Sequence, residues 1–345
     1  MELGTTPRGT EGPHTCMRRL SLWRPRSLLA FLAWTIHLVV SHVRAYLAKR
    51  VACADDDEQR RQRHGKCVVV TGASVGGLGF AIASRLAFTA DVVIVTAPNE
   101  TDALQAVAHM RKTAPKHVQV KPYLLDLAKI EGIISFARAV TRDYRVTSLV
   151  NNAASFCTEA GDEADIYVRR VNELGPLLLT ALVRAHRVLW ITSFTHRAAE
   201  VQKQGVTYTC AARRYADSKR RALMCALALR ARDDGAVHVC HDPGAVDTRL
   251  TSEWPTALRM VHRIALRNLG LLVSADSAAL GAGRADGAYT FGTSAKPLPV
   301  NLQNAEVGAS ESAAEVIRWT TTYCGGAEVV REACNWLHKN MLINK

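Results

Sequence analysis

The chain has 345 residues, and close to half of them are apolar, so it can form a full hydrophobic core and is not a disordered protein. Lys and Arg number 44 against 31 Asp and Glu, a net charge of +13, and the first 50 residues hold eight basic and two acidic side chains. This distribution is typical of a targeting or membrane-surface segment, and aromatic and basic residues do not alternate as in a site for single-stranded nucleic acid, so we expect no nucleic-acid partner.

The first predicted element is the apolar stretch 28–43, which has arginines before and after it. It is slightly shorter than the ~20 residues that span a bilayer. Three interpretations stay open: a single-pass or interfacial membrane anchor, an Arg-rich mitochondrial presequence, and a cleaved secretory signal. We adopt an anchor within residues 1–50 and a charged linker over 51–65, which places the folded domain in the cytosol at the endoplasmic reticulum. A mitochondrial location is the alternative.

A β-branched run from Val68 to Val70 predicts a buried strand, which ends in a glycine cluster that a helical pattern follows. This order predicts a phosphate cradle, because glycines let the backbone approach a ligand and a helix N-terminus offers free N–H groups. The residues expected to line the cradle are Gly72, Ser74, Gly76, Gly77, Leu78 and Gly79.

The end of the next strand, Asp91 to Val95, decides which dinucleotide is favoured. Asp or Glu there binds the ribose 2′-OH of NAD, whereas Arg or Lys binds the 2′-phosphate of NADP. Here the strand is followed by Thr96, Ala97, Pro98 and Asn99. Because the repelling acid is absent, we favour NADP, with Thr96 among its contacts, and NAD stays open.

The chain continues as alternating strands and helices. Residues 118–127 and 148–150 predict strands, and apolar residues at helical spacing lie between them. This alternation predicts an α/β fold of the Rossmann type, a doubly wound and mostly parallel sheet with helices on both faces. We expect it to form a single domain over 66–300.

Landmarks in a fixed order then make a resemblance specific. They are Thr71-Gly72, Gly77-Leu78-Gly79, Asp126-Leu127, Asn151-Asn152-Ala153, Asn172, Ser193, Tyr215 with Lys219, and Pro243-Gly244 with Thr248. On these the chain resembles the short-chain dehydrogenases/reductases over about residues 66–292. The stretches 171–180, 190–196 and 215–223 are most similar to the retinol-dehydrogenase-like branch of that family.

The resemblance implies an NAD(P)-dependent oxidoreductase that acts on a small lipophilic alcohol or carbonyl compound, such as a retinoid, a steroid or a fatty aldehyde. It implies that Lys219 also holds the nicotinamide ribose and that Asn172 positions a water that relays protons to Lys219. Further cofactor contacts that it implies are Asp126, Leu127, Asn152, Ala153, Tyr215, Pro243, Gly244, Val246 and Thr248.

The residues themselves support acid–base chemistry. Tyr215 and Lys219 are four apart in a helical stretch and share a face, so the ammonium is expected to lower the tyrosine pKa from ~10 towards neutral pH. Tyr215 is then a candidate general acid or base, and Ser193, at a strand end, is a candidate hydrogen-bond donor to the substrate oxygen. His196 is interpreted as a loop residue without a catalytic role.

Three features depart from the family pattern. The glycine loop is one residue longer than usual, so either Gly76 replaces the second family glycine or the pyrophosphate contact changes. The interval from Asn172 to Ser193 is short, which trims the helix that commonly forms the family's dimer interface and leaves a homodimer open. The basic cofactor signature is missing at Ala97. The alternative hypothesis is therefore a catalytically degenerate, dinucleotide-binding scaffold with the same fold.

The nine cysteines are scattered and form no closely spaced pair, which favours reduced thiols over a disulfide framework or a zinc knuckle. His238, Cys240 and His241 lie together, but alternation along a strand puts the first two on one face and His241 on the other. We therefore predict no metal site.

The C-terminal part is predicted to be mainly helical. An apolar stripe over 254–269, with arginines on another face, corresponds to the family's substrate lid and suits a lipophilic substrate near a membrane surface; the alternative is a plain amphipathic helix. A helix over 275–282 and a strand over 287–291 follow. Residues 293–309 are predicted as loop, and helices over 310–323 and 327–337 form a C-terminal extension at 301–345.

Overall fold

The computed structural model describes most of the chain after residue 64. The described residues are 65–199, 208, 210–232, 234–246, 250, 256–268, 272–283, 289–291, 294–295, 302–321 and 328–342. The predicted anchor, most of the predicted linker and Thr248 lie outside them. Among the described residues, no helix combines the length and the apolar character needed to cross a bilayer.

Ten strands are present in the described residues. They are β1 (Cys67–Val70), β2 (Val92–Ala97), β3 (Gln119–Leu124), β4 (Val146–Asn151), β5 (Arg187–Ile191), β6 (Val237–Asp242), β7 (Ala245–Val246), β8 (Leu272–Val273), β9 (Tyr289–Phe291) and β10 (Ser294–Ala295). Eight form one sheet in the order β10-β9-β6-β5-β4-β1-β2-β3, in which β10 alone is antiparallel, and β7 pairs with β8 separately. The predicted mostly parallel sheet is confirmed.

The helices of the described residues alternate with these strands. They are α1 (Leu78–Leu86), α2 (Glu100–Thr113), α3 (Ile130–Asp143), α4 (Asp162–Arg169), α5 (Gly175–Val183), α6 (Ala211–Arg232), α7 (Thr256–Asn268), α8 (Ala275–Gly283), α9 (Leu302–Thr321) and α10 (Glu328–Met341). A π-helical turn, Arg170–Leu174, joins α4 to α5, and a 3₁₀ turn, Phe194–Ala198, follows β5.

Alternate residues of the central strands face two separate apolar layers. Val69 and Leu149 pack among side chains of α3, α5 and α6, whereas Val68 and Val150 pack among side chains of α1, α2 and α8. A sheet covered on both faces needs strands that are apolar throughout, which is why β1 is a continuous buried run. Pro122 lies in β3, an edge strand, where a missing N–H donor costs little.

The strand order reverses around β1, which lies between β2 and β4. In an open parallel sheet this point leaves a crevice at the carboxyl ends of the strands, where ligands bind. The glycine loop follows β1 directly. The fold therefore places the predicted cradle at the position where the topology opens the sheet.

The last two helices belong to the core. Ala305, Ala309 and Ala313 of α9 and Leu337 of α10 are fully buried in the same apolar layer as α5 and α6. The predicted loop over 293–309 is wrong in its second half, because α9 begins at Leu302. Alanines carry a weak apolar signal in a sequence, yet here they allow α9 to pack closely on α6.

Candidate active site

The glycine loop is held against the end of β4 by an asparagine. Asn152 Nδ2 donates to the carbonyls of Thr71, at 2.8 Å, and Gly72, at 3.1 Å. A Cβ at Gly79 would lie 2.4 Å from Asn152 Nδ2, so only glycine fits there. Asn152 and Ala153, predicted as cofactor contacts, lie beside the loop, and the amide of Asn152 is used to shape it.

The extra residue of the loop is accommodated by one tight turn. The Gly77 N–H donates to the Ser74 carbonyl at 3.0 Å, and Gly76 has φ +79°, the value of the third position of a type II turn. Gly77 is then the N-cap of α1, and neither a capping side chain nor an acidic residue occupies this helix start. The first turn of α1 therefore keeps the free N–H groups that fit a pyrophosphate.

The side of the crevice next to β2 is where the adenosine of a dinucleotide is expected. Most polar groups there form hydrogen bonds or ion pairs within the protein. The Thr96 carbonyl accepts from the Ala73 N–H at 2.9 Å, and Asn99 caps α2. Asp126 accepts from the Ala128 N–H at 2.9 Å and pairs with Lys129 at 3.2 Å. The residues directly after β2 are Pro98 and Asn99, neither of them acidic, and the nearest acids in the chain, Glu100 and Asp102, lie in the first turn of α2.

Ser193, Tyr215 and Lys219 come together at the carboxyl end of β5. The Ser193 hydroxyl lies close enough to the Tyr215 phenol to favour its ionised form. Lys219 lies one turn further along α6, with Nζ 5.9 Å from the centre of the Tyr215 ring and 2.9 Å from the Ile191 carbonyl, to which it donates. All three side chains are buried. The structure thus places the serine at the end of β5 beside the tyrosine and lysine of α6.

Asn172 lies in the π-helical turn, a distortion that is frequent at functional sites. Its amide exchanges two hydrogen bonds with the backbone of Ser155, at 2.7 and 2.9 Å, and donates to Ser218 Oγ at 2.9 Å. Ser218 in turn donates to the Tyr215 carbonyl at 2.8 Å. Asn172 is therefore coupled to the tyrosine helix through Ser218.

Burial dominates the protonation of the site. It raises the pKa of Tyr215, and the nearby Ser193 hydroxyl opposes this only in part. The expected lowering of the Tyr215 pKa is wrong for this structure, because burial shuts the phenol away from the water that would stabilise its anion. Burial lowers the pKa of Lys219 to about 8. Tyr215 is consequently held as a neutral phenol, the form that can donate a proton.

An aspartate missed by the sequence analysis completes the centre. Asp242, the last residue of β6, is fully buried, and it accepts from the Gly244 N–H at 3.0 Å and the Tyr289 hydroxyl at 3.1 Å. Burial raises its pKa to about 6. An acidic residue at the end of a buried strand, directly before Pro243, was the available signal.

The loop after β6 lies at the carboxyl edge and contains Pro243, Gly244 and Val246. Val246 is the last residue of the short β7. An apolar wall adjoins Tyr215: Phe156 lies 5.3 Å from it between ring centres, and Phe194, Leu266 and Phe291 belong to the same cluster.

The two polar candidates that the sequence set aside have internal partners. His196 is buried, its Nδ1 lies 2.5 Å from the Ser193 carbonyl, and burial lowers its pKa to about 4. His238 and Cys240 face one apolar layer, and His241 faces the other, as strand alternation predicts.

Comparison with known proteins gives one family. A family model described as short chain dehydrogenase matches residues 66–258. Human WW domain-containing oxidoreductase is 32% identical over 156 residues, 41% of this chain and 36% of that protein. Retinol dehydrogenase 13 of Mus musculus is 32% identical over 157 residues, 42% of this chain and 46% of that protein. The chain thus spans less than half the length of these curated relatives.

Solved structures share the fold at low identity. A short-chain dehydrogenase from Sphingobium yanoikuyae in complex with NADPH has a TM-score of 0.52 at 17% identity, covering 76% of this chain and 99% of that chain. L-sorbose reductase from Gluconobacter frateurii, complexed with NADPH and L-sorbose, has a TM-score of 0.52 at 18% identity, covering 67% of this chain and 96% of that chain.

Proposed function

The chain belongs to the short-chain dehydrogenase/reductase family of oxidoreductases, and from that premise we propose that it transfers a hydride between NADP(H) and a small lipophilic alcohol or carbonyl compound. Retinoid-, steroid- and fatty-aldehyde-like molecules are the substrate classes. The observation that carries the proposal is the buried set of Ser193, Tyr215 and Lys219 at the carboxyl edge of the sheet that the glycine loop also lines.

In this proposal the chain's own residues handle the substrate oxygen. Ser193 and Tyr215 offer two hydroxyl donors to the carbonyl, and their hydrogen bonds strengthen as that oxygen gains negative charge. Tyr215, held as a phenol by burial, gives its proton to the oxygen in reduction and accepts it back in oxidation. Lys219 carries the charge that balances the phenolate. The nicotinamide, when bound, supplies or accepts the hydride.

Two features support the choice of cofactor and substrate. The loop shaped by Asn152 and the open start of α1 suit a dinucleotide, and the lack of an acid at the end of β2 favours NADP over NAD. The proteins of several similar solved structures were found with NADPH. The aromatic and aliphatic wall beside Tyr215 suits a lipophilic group next to the reacting carbon.

We also propose that the protein works at a membrane, most simply the cytosolic face of the endoplasmic reticulum, with a mitochondrial membrane as the alternative. Helix α7 supports this, because Met260, Val261 and Ile264 are 62%, 65% and 51% exposed and the helix contains arginines but no acid. The predicted N-terminal anchor lies outside the described residues. In a homodimer formed through α5 and α6, the partner subunit would need a surface that α9 and α10 of the same chain already cover.

Titration of the full chain with NADPH and then NADH, followed by cofactor fluorescence, tests the cofactor. We expect tighter binding of NADPH and its oxidation on addition of a retinoid or steroid carbonyl. Tyr215→Phe should lower kcat by about 100-fold or more, because the proton donor is lost, while NADPH binding persists. The matched control is Tyr144→Phe, because Tyr144 lies just before β4, at the amino ends of the strands. Turnover by Tyr215→Phe within a few-fold of wild type contradicts the assignment.

The second candidate function is a dinucleotide-binding scaffold without catalysis, and the lengthened glycine loop favours it. It predicts that NADPH binds and that none of the lipophilic carbonyls is reduced. In that case Tyr215→Phe and wild type are indistinguishable in every assay. The two hypotheses therefore separate in the same experiment.

A further inference from the structure

Asp242 is a buried carboxylate for which the hydride-transfer chemistry has no direct use. It is the last residue of β6 and has no exposed surface. A carboxylate with this burial is costly unless it is paired and fully hydrogen-bonded. Its partners therefore indicate what it does.

Its oxygens connect three separate segments of the carboxyl edge. The Gly244 N–H reaches it from the loop after β6, the Tyr289 hydroxyl from β9, and the Phe194 N–H from the turn that begins at Ser193. The second and third of these are far from Asp242 in sequence. One carboxylate thus fixes the turn that carries Ser193 relative to the Pro243-Gly244 loop.

Asp242 also acts on both titrating members of the site. Its negative charge favours the protonated forms of Lys219 and of Tyr215 and so raises the pKa of each. Strand pairing explains this proximity, because Lys219 is bound to the carbonyl of Ile191, whose partner in β6 is His241. The aspartate follows directly.

We propose that Asp242 is a positioning residue of the catalytic centre, which aligns the Ser193 turn with the loop after β6 and supplies a negative charge beside Lys219 and Tyr215. The proposal rests on the function proposed above and adds the group that controls its dependence on pH. Asp242 touches neither substrate nor reacting atom and acts through its neighbours.

The charged and titratable groups around Asp242 come from every adjoining element. Asp242 interacts with Lys219 and Tyr215 of α6, with Arg197 of the 3₁₀ turn and with Tyr289 of β9, against whose ring His196 packs edge-on. His241, the preceding residue, is hydrogen-bonded to Thr290 instead. Arg197 and the three hydrogen-bond donors stabilise the carboxylate and oppose the effect of burial on its pKa.

Asp242→Asn removes the charge and keeps the size of the side chain. In carbonyl reduction by the full chain with NADPH, we expect the basic limb of the kcat/KM profile to move down by about one pH unit, a loss of about tenfold on that limb. The sign follows because losing an anion lowers the pKa of both Lys219 and Tyr215. Asp242→Glu should restore the limb but not the full kcat. Asp234→Asn, which neutralises another buried aspartate, should leave the limb unchanged.

Tyr289→Phe is a milder variant, which serves also where Asp242→Asn does not fold. It removes one donor from the carboxylate, so the pKa of Asp242 rises and the acidic limb should move to higher pH, with the basic limb in place. Identical profiles in wild type and in the folded variants would overturn the proposal.

A measurement that needs no turnover separates this inference from the proposed function. The pKa of Lys219 is followed by NMR of the full chain carrying ¹³Cε-labelled lysine, without cofactor, and the signal is assigned with Lys219→Arg. In Asp242→Asn we expect Lys219 to titrate lower than in wild type, whereas in Tyr289→Phe its titration should be unchanged. If Lys219 titrates lower in Asp242→Asn while no carbonyl is reduced, the proposed function fails and the role of Asp242 stands. An unchanged Lys219 pKa in Asp242→Asn contradicts the role of Asp242 even if the enzyme is active.

Discussion

The two ends of β6 each hold a buried aspartate, and the two have opposite surroundings. Before the strand, Asp234 accepts from His238 at 2.9 Å and from the Ala236 N–H at 3.0 Å, and His238 accepts from Trp190 Nε1 at 3.2 Å. These side chains bond to one another and not to Ser193, Tyr215 or Lys219. After the strand, Asp242 lies beside Lys219 and Tyr215. Burial of a charge is common to both ends, so only the neighbours distinguish a structural acid from one that tunes chemistry.

The largest expected effect separates activity from stability at the carboxyl edge. Lys219→Met should lower kcat/KM by about 100-fold or more, because the charge that balances the Tyr215 phenolate is lost. Stability at pH 7 should not fall, since a buried ammonium with a lowered pKa is replaced by an apolar chain of similar length. Steady-state kinetics and thermal unfolding of the same preparation check this, with the exposed Lys112→Met as the control. A drop in melting temperature with unchanged kcat/KM contradicts the expectation.

The next largest effect is expected at the amino edge of the sheet, where stability should be lost while activity is kept. His238→Ala leaves the Asp234 carboxylate buried without its main partner and should cost about 3 kcal/mol of unfolding free energy. Activity per folded molecule should stay within a few-fold of wild type, because neither residue adjoins the tyrosine. Urea unfolding and cofactor titration measure the two quantities. A selective loss of activity in a stable variant would show that the two ends are coupled.

A smaller effect, spread over pH, belongs again to the carboxyl edge. His196 and His241 are buried and neutral, with pKa values of about 4, below their ordinary value. The unfolded chain binds protons that the folded chain does not between about pH 6.5 and 4, so stability falls on acidification by up to about 1.4 kcal/mol per pH unit for each histidine. Asp242, with a raised pKa, offsets part of this. Unfolding free energies from pH 7 to 4 should show a shallower decline in His241→Asn than in wild type.

The glycine loop shows how far the sequence alone reaches. The strand, the loop and the following helix are local, so β-branched residues and glycines predict them directly. The sequence left open which glycine takes up the extra residue of the loop. Hydrogen bonds of Ser74 and of Asn152, which directly follows the distant strand β4, decide it. Helix α9 was predicted too short for a related reason, since its alanines are apolar only in the context of the α6 surface that they cover.

The sequence by itself determined the alternation of strands and helices, the parallel sheet, and the order of Ser193, Tyr215 and Lys219, because periodicity and spacing are properties of neighbouring residues. Only the tertiary structure decided the protonation of that site. Burial and the Asp242 carboxylate set the pKa values, and both come from elements that meet only after folding. A lysine four residues from a tyrosine predicts proximity, but the dielectric and the competing partners around both side chains decide whether the phenol loses its proton.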